Sequence, residues 1–290
     1  MRVGDQSFYQ RFLIGLEAAR ESTSHSLDQM SDGKRVRNAS DDPAGAHTSL
    51  LLRGRVVQIQ GFDRSAQAAR TDLTAVDSAL GEVVSVLSSA RAEAMAGASG
   101  VSQGGNDARA TKIDGLRAEL LSLANTNQGG RYLFAGTSTL TLPFAQDGTY
   151  SGDDAEVQAP LDTNEQVGAT VAGRQLFLAG GDMFAHLADL AQALRDGRTQ
   201  DAAASVATLR DDISRVTSVE GEVGMRLERI DSVISRHGDE STRLLERIGE
   251  IEDADLATVA VSLQAADTNR SALSAAAGRV LGVSLFDYLG

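Results

Sequence analysis

The residues best suited to chemistry are three carboxylate clusters: Asp41-Asp42, Asp153-Asp154 and Glu252-Asp253-Ala254-Asp255. Paired carboxylates can hold a divalent cation or share acid and base roles. Each cluster also has a structural reading. Asp42 precedes Pro43, where a carboxylate caps an orphan backbone N–H and proline sits where no N–H is needed. The acids after Ile251 would cap a helix and complement its dipole in the same way. Asp153-Asp154 reads as a solvated turn, and an enzyme would have to rest on it. His25, His47, His186 and His237 are scattered, with no H-E-x-x-H pair, and no phosphate-cradling glycine loop opens a helix. Cysteine is absent, which removes disulfides, thiolate nucleophiles and sulfur-ligated zinc. Lys34-Arg35-Val36-Arg37 is either a small basic patch or a solvated loop. These residues designate no catalytic group, no metal ligand and no cofactor, so the expectation is a protein that is not an enzyme.

The bulk properties narrow the class. The 290 residues carry 40 acids against 27 bases, a net charge of -13, the wrong sign for neutralising phosphates; nucleic acid is excluded as a partner. Aromatics are only 4% and tryptophan is absent, which is poor material for an aromatic-lined pocket. No uninterrupted apolar run approaches the ~18 residues that a membrane helix needs, so no membrane insertion is expected. Asp5 and Gln6 follow Arg2 closely, unlike a Sec signal peptide.

The elements that would position these residues are mostly helices. Residues 3–30 form one, with Phe8, Phe12, Leu16, Ala19 and Thr23 on one face, followed by a polar loop over 31–42. A long helix runs from Pro43 to about Ala96. Its second half has a clean seam, Leu73, Val76, Leu80, Val83, Leu87, Ala90 and Ala94; its first half has Gly54 and Gly61 on or near the seam. A turn covers 97–106, and a helix returns with Ile113, Leu116, Leu120 and Leu123. Residues 131–180 hold Pro143, Pro160 and alternating stretches at 155–159 and 167–171, which predict a β-rich insert. Helix resumes after Asp182 and breaks at Asp196-Gly197. From about Thr199 a second long tract keeps a coiled-coil rhythm through Ile251, with polar His237 and Ser241 in it, and Glu222–Arg226 as an i,i+4 pair. The last helix carries Val259, Leu263, Ala266, Leu273, Ala277 and Val280.

The expected fold is mainly α with a small β-rich insert: a long antiparallel helical bundle or coiled coil, its N- and C-terminal helices paired at one end and the β domain at the other. The expected domains are 1–42 plus 253–290, a terminal assembly domain disordered in the free monomer; 43–130 plus 181–252, the bundle; and the insert 131–180. The terminal stripes lie outside the span where the long helices overlap, and isolated helices are marginal in water. They are the candidate assembly interface: Phe8, Phe12, Leu16, Ala19, Leu263, Ala266, Leu273, Ala277, Val280, Leu285, Phe286 and Leu289.

Several stretches resemble the flagellin superfamily. Leu27-Asp28-Gln29-Met30-Ser31-Asp32-Gly33-Lys34-Arg35-Val36, then Ser40-Asp41-Asp42-Pro43-Ala44-Gly45, is similar to its N-terminal motif; Asp32 stands where Ser or Thr is commoner. Ile251-Glu252-Asp253-Ala254-Asp255-Leu256-Ala257 is similar to its C-terminal junction. The opening Met1-Arg2-Val3, the run Tyr132-Leu133-Phe134-Ala135-Gly136 with Pro143-Phe144 after it, and the end Ser284-Leu285-Phe286-Asp287-Tyr288-Leu289 resemble the hook–filament junction branch of that superfamily. The resemblance implies a structural adaptor, extracellular in the bacterial flagellum, that leaves through the flagellar type III export channel. It implies as partners the first hook-associated junction protein, flagellin, further copies in a ring, and an export chaperone at the C-terminal helix. The alternatives are a flagellin filament subunit and, in another class, a cytoplasmic coiled-coil signalling module.

Overall fold

The computed structural model describes residues 2–99 and 105–289, with side chains over 10–99 and 105–276. The elements in order are α1 (Arg2–Asp32), α2 (Pro43–Ala98), α3 (Asn106–Ala124), β1 (Asn127–Gln128), β2 (Arg131–Tyr132), β3 (Gln158–Asp162), β4 (Glu165–Gly168), a π-helical turn (Arg174–Leu178), α4 (Met183–Arg195), α5 (Thr199–Glu252) and α6 (Leu256–Leu289). The architecture is helical with a few short strands, as the patterning requires. The chain forms two compact units, one of residues 1–57 with 240–290 and one of residues 58–239. α2 and α5 contribute to both.

In the 58–239 unit the core is built on heptads. Leu73, Val76, Leu80, Val83, Leu87, Ala90 and Ala94 of α2 are all fully buried, and so are Leu209, Val216, Val223 and Ile230 of α5, spaced by sevens. A 3.5-residue period keeps one stripe of a helix against its neighbour. Burying each such Leu or Val stabilises the unit by roughly 1.5–3 kcal/mol. Ile113 and Leu120 add one heptad from α3. α2 includes an 18-residue window of mean hydropathy 1.2, of which 44% is buried inside the protein; its apolar residues serve this seam. Gly54 is not on the seam. It has open space around it, while Val56 and Ile59 are the buried positions of that stretch.

The segment between α3 and α4 is more turn than strand. β1 pairs with β2 and β3 with β4, both antiparallel, and a bulge lies between Pro160 and Asp162. The alternation at 155–159 enters a strand only at Gln158. Upstream of it, the Val157 N–H donates to Thr170 Oγ1 at 2.9 Å and the Val157 carbonyl accepts from Ala169 N–H at 2.8 Å, so a side chain replaces a ladder bond. What holds the insert is an aromatic cluster. Phe177 meets Phe134 and Phe144 edge-on, with ring centroids 5.5 and 5.3 Å apart, and Phe184 packs 5.3 Å from Phe144. Asn125 brackets Phe144, accepting its N–H at 3.0 Å and donating to its carbonyl at 2.9 Å. Asp153 ties the loops, accepting from Thr137 N–H and Ser138 Oγ at 2.8 and 3.0 Å and from the Thr137 hydroxyl. Those hydrogen bonds, the Thr137 hydroxyl first, lower its pKa to about 2. Gly136 has φ 70 and lies so close to Asp153 that any side chain would collide with it.

The helix boundaries follow from local chemistry. Asp182 caps α4 by accepting the Phe184 N–H at 2.8 Å. Gly197, at φ 67, makes the turn from α4 into α5. The expected Glu222–Arg226 pair is replaced: Arg226 reaches across to Glu156 Oε1 at 2.8 Å and to the Thr170 carbonyl at 3.2 Å. A guanidinium that can satisfy insert carbonyls gains more there than on its own helix surface.

Candidate assembly interface

The 1–57/240–290 unit contains the terminal helices and every residue of the two charged motifs. α1 packs against α6. The chain returns on itself through Lys34, which bridges Asp253 in antiparallel fashion, so the two helices run in opposite directions. On α1 the less exposed positions include Phe12, Leu16, Ala19, Thr23 and Ser26, with Gly15 and Gln29; on α6 they include Val259, Leu263, Ala266 and Leu273, with Asp267. The α1 set from Phe12 to Ser26 steps by fours and threes and the α6 set from Val259 to Leu273 by four, three and seven, the spacing that holds a seam together. Ser26 and Ser262 put their hydroxyls 3.3 Å apart in it.

The structure thus brings Phe12, Leu16 and Ala19 onto the α6-facing stripe of α1, and Leu263, Ala266 and Leu273 onto the α1-facing stripe of α6. Ala19, Ala266 and Leu273 line one groove with Gly15, Ala18 and Ala272; Leu263 lines a second with Leu27 and Met30. Phe8, Ala277, Val280, Leu285, Phe286 and Leu289 fall outside the residues whose side chains are described. The pair is not sealed. Leu13, Ile14, Leu27, Met30 and Val261 keep 42–71% of their surface exposed.

The loop from Gly33 to Asp42 and the α5–α6 junction form a clamp. α1 ends where Gly33, at φ 70, returns its N–H to the Gln29 carbonyl at 2.9 Å. The Gly33 carbonyl accepts from Ala254 N–H at 2.7 Å, and the Glu252 carbonyl accepts from Arg35 N–H at 2.6 Å. Arg35 also reaches the Ile251 carbonyl at 2.6 Å and Asp42 at 3.3 Å. Asp42 caps α2 by accepting the Gly45 N–H at 2.9 Å, which holds its carboxyl below the usual range. Gly45 has no room for a side chain, since a Cβ would lie 3.2 Å from Ile251 Cγ2 and closer still to the Asp42 carboxylate. Asp255 caps α6, accepting from the Thr258 hydroxyl at 2.8 Å and the Ala257 N–H at 3.0 Å; these bonds, the hydroxyl first, lower its pKa.

Glu252 is the centre of the clamp. Arg53 grips it with two nitrogens at 3.0 and 2.6 Å, Ser49 donates its hydroxyl, and Lys34 lies 3.5 Å away. The Arg53 hydrogen bonds, then Ser49, outweigh burial and lower its pKa to about 2. Lys34 lies 2.5 Å from Asp253 Oδ1. That contact has the atoms of an amide cross-link, but the bond would need a neutral amine. The hydrogen bond to Asp253 instead raises the Lys34 pKa, which favours the charged amine. Lys34, Arg35 and Arg37 are therefore neither a basic patch nor a free loop: Arg37 is spent on Asp28 and Asp32 at 3.1 and 2.6 Å. Arg53 and Ser49 carried no signal in the sequence. A single Arg or Ser on a helix is ordinary.

Residues 7–139 match the bacterial flagellin N-terminal helical region. Flagellar hook-associated protein 3 of Escherichia coli (strain K12) is 27% identical over 313 aligned residues, which cover 99% of both chains. This chain is similar over nearly its whole length to flagellar hook-associated protein 3. Among solved structures of that kind, FlgL from Bacillus cereus superposes with a TM-score of 0.62 at 21% identity, over 69% of this chain and 99% of that one. The flagellar junction protein FlgL from Legionella pneumophila also gives 0.62, at 15% identity, over 71% and 100%. At those identities the structures speak for the fold. The clamp residues Lys34, Asp42 and Gly45 lie inside the matched flagellin region, and so does α1 from residue 7 onward.

Proposed function

We propose that this protein is a structural adaptor of the bacterial flagellum, lying outside the cell where hook meets filament. Its partners in this reading are the first hook-associated junction protein on one side, flagellin on the other, and further copies of itself in a ring. It reaches that position by flagellar type III export, with a chaperone on its C-terminal helix until then. The terminal segments 1–42 and 253–290 order on assembly, 43–130 with 181–252 form the supporting bundle, and 131–180 is the exposed insert.

The observation that carries this reading is the α1–α6 pair. It presents long apolar side chains on its outside, with Ile14 at 65% and Val261 at 71% exposure. A two-helix pair leaves half of each helix uncovered, and apolar side chains there mark a surface that meets protein. The near full-length similarity to hook-associated protein 3 supplies the setting.

The test is Leu273→Asp, expressed in cells that lack the native gene. A charge in the α1–α6 groove is expected to leave the melting of the 58–239 unit unchanged and to abolish filament formation. Restoration of normal filaments by this variant would overturn the reading.

A further inference from the structure

The seam of α5 is interrupted at His237, one heptad beyond the buried Ile230. The imidazole is completely buried. Nδ1 lies 2.8 Å from Asp63 Oδ1 on α2. Nε2 makes no hydrogen bond and faces Asp162 Oδ2 of β3 at 3.9 Å. The Phe62 ring lies alongside, its centroid 6.3 Å away. A neutral imidazole has one donor and one acceptor, whereas the protonated ring has two donors. With Nδ1–H given to Asp63, a neutral ring turns a lone pair toward a second carboxylate inside a buried site. The protonated ring turns an N–H toward it instead.

We propose that His237 is a protonation-dependent latch that holds the β3–β4 hairpin to α2 and α5. The charged groups that face the ring are Asp63 from α2 and Asp162 from β3. Arg229 and Arg236, on α5 itself, are engaged by Glu165, the cross-strand neighbour of Asp162 beside the hairpin turn, each at 3.0 Å. The hairpin also meets α2 through the Gln58–Thr163 contact at 3.4 Å, between two neutral side chains. Histidine is the side chain that changes charge in the neutral range. The hold is therefore complete while the ring is protonated and weakens as the pH rises and the ring becomes neutral. The proposal does not depend on the flagellar role. It concerns a device within the 58–239 unit, which sets how firmly a surface hairpin is presented as the pH of the surroundings changes.

The experiment is amide hydrogen exchange of residues 158–168 in the full chain from about pH 5.5 to about pH 8.5, corrected for the intrinsic rate. In the wild-type protein, protection of these amides is expected to fall about tenfold over the series. In His237→Gln and in Asp162→Asn it is expected to be flat. A flat wild-type profile, or a full slope retained in His237→Gln, overturns the latch. Should either variant fail to fold, the ring nitrogens of wild-type His237, followed by 15N NMR over the same series, decide. Both nitrogens protonated at the acid end and one at the alkaline end supports the latch. A ring in a single state throughout overturns it.

Discussion

The two regions of this molecule are held by opposite means. Around Glu252 the chain is joined by charges, caps and backbone hydrogen bonds between short segments, much of it within reach of water. In the insert and the α2–α5 seam of the 58–239 unit it is joined by buried apolar and aromatic side chains. Polar joinery depends on which atoms meet, so it demands particular residues: Gly33 for its φ, Gly45 for its missing side chain, Asp42 for its cap. Apolar packing depends on volume and period, and accepts many residues. That difference explains why the two longest recognisable motifs of the chain lie in the clamp, while the α2–α5 seam shows only as rhythm.

The comparison breaks most visibly at the aromatic cluster. Phe134→Ala removes a fully buried ring that meets Phe177, and is expected to destabilise the 58–239 unit by about 3–5 kcal/mol. Denaturant unfolding followed through insert amides measures it, and amides of α6 should be unaffected.

Glu252→Gln tests the other side. It leaves Arg53 without its carboxylate, while Lys34 keeps Asp253, and its effect should appear in exchange at α6, not in the insert. The size follows from titration. A carboxyl lowered from 4.5 to about 2 contributes at most about 3 kcal/mol, and less because water screens its exposed partners Arg53 and Lys34. Because the folded-state value is depressed, that contribution is fully present above about pH 4.5 and disappears as the pH falls toward 2. Wild-type protein should therefore lose α6 protection over that acid window, and Glu252→Gln should show a smaller acid phase, the remainder coming from the Asp255 cap. An identical acid phase in the variant would show that another group carries it.

The smallest effect is expected at Asp42→Ala. Losing the α2 cap should destabilise by about 1 kcal/mol, within the usual range for such caps. A sharper version of the comparison is Gly45→Ala. A single methyl there should exceed the cap deletion, because it strikes both Asp42 and Ile251.

The helices were legible in the sequence because their signals are local. Asp42-Pro43, Asp182 and Gly197 mark ends within a few residues, and the seam from Leu73 to Ala94 repeats on a period that a linear reading detects. The clamp was half legible. Its loops stood out as motifs, but Glu252 was read as part of a capping cluster. Its partners Arg53 and Ser49 lie about two hundred positions away, and no spacing rule connects them. The insert was least legible. Its alternation marked strands, and Gln158-Ala159 and Val167-Gly168 do pair in β3 and β4, but most of the insert goes to turns, a π-helical segment and side-chain hydrogen bonds such as Val157 to Thr170. Where tertiary partners replace ladder partners, period carries little information. Asp153-Asp154 shows the same limit: a pair that could hold a cation is used by Thr137, Ser138 and Arg174 instead.

The central claim is that a chain built this way serves as a joint between hook and filament. The measurement that tests it most directly is gold-labelled antibody localisation of this protein on intact flagellated cells by electron microscopy. Label confined to one short zone between hook and filament is the predicted result. Label along the whole filament, or only inside permeabilised cells, would contradict it.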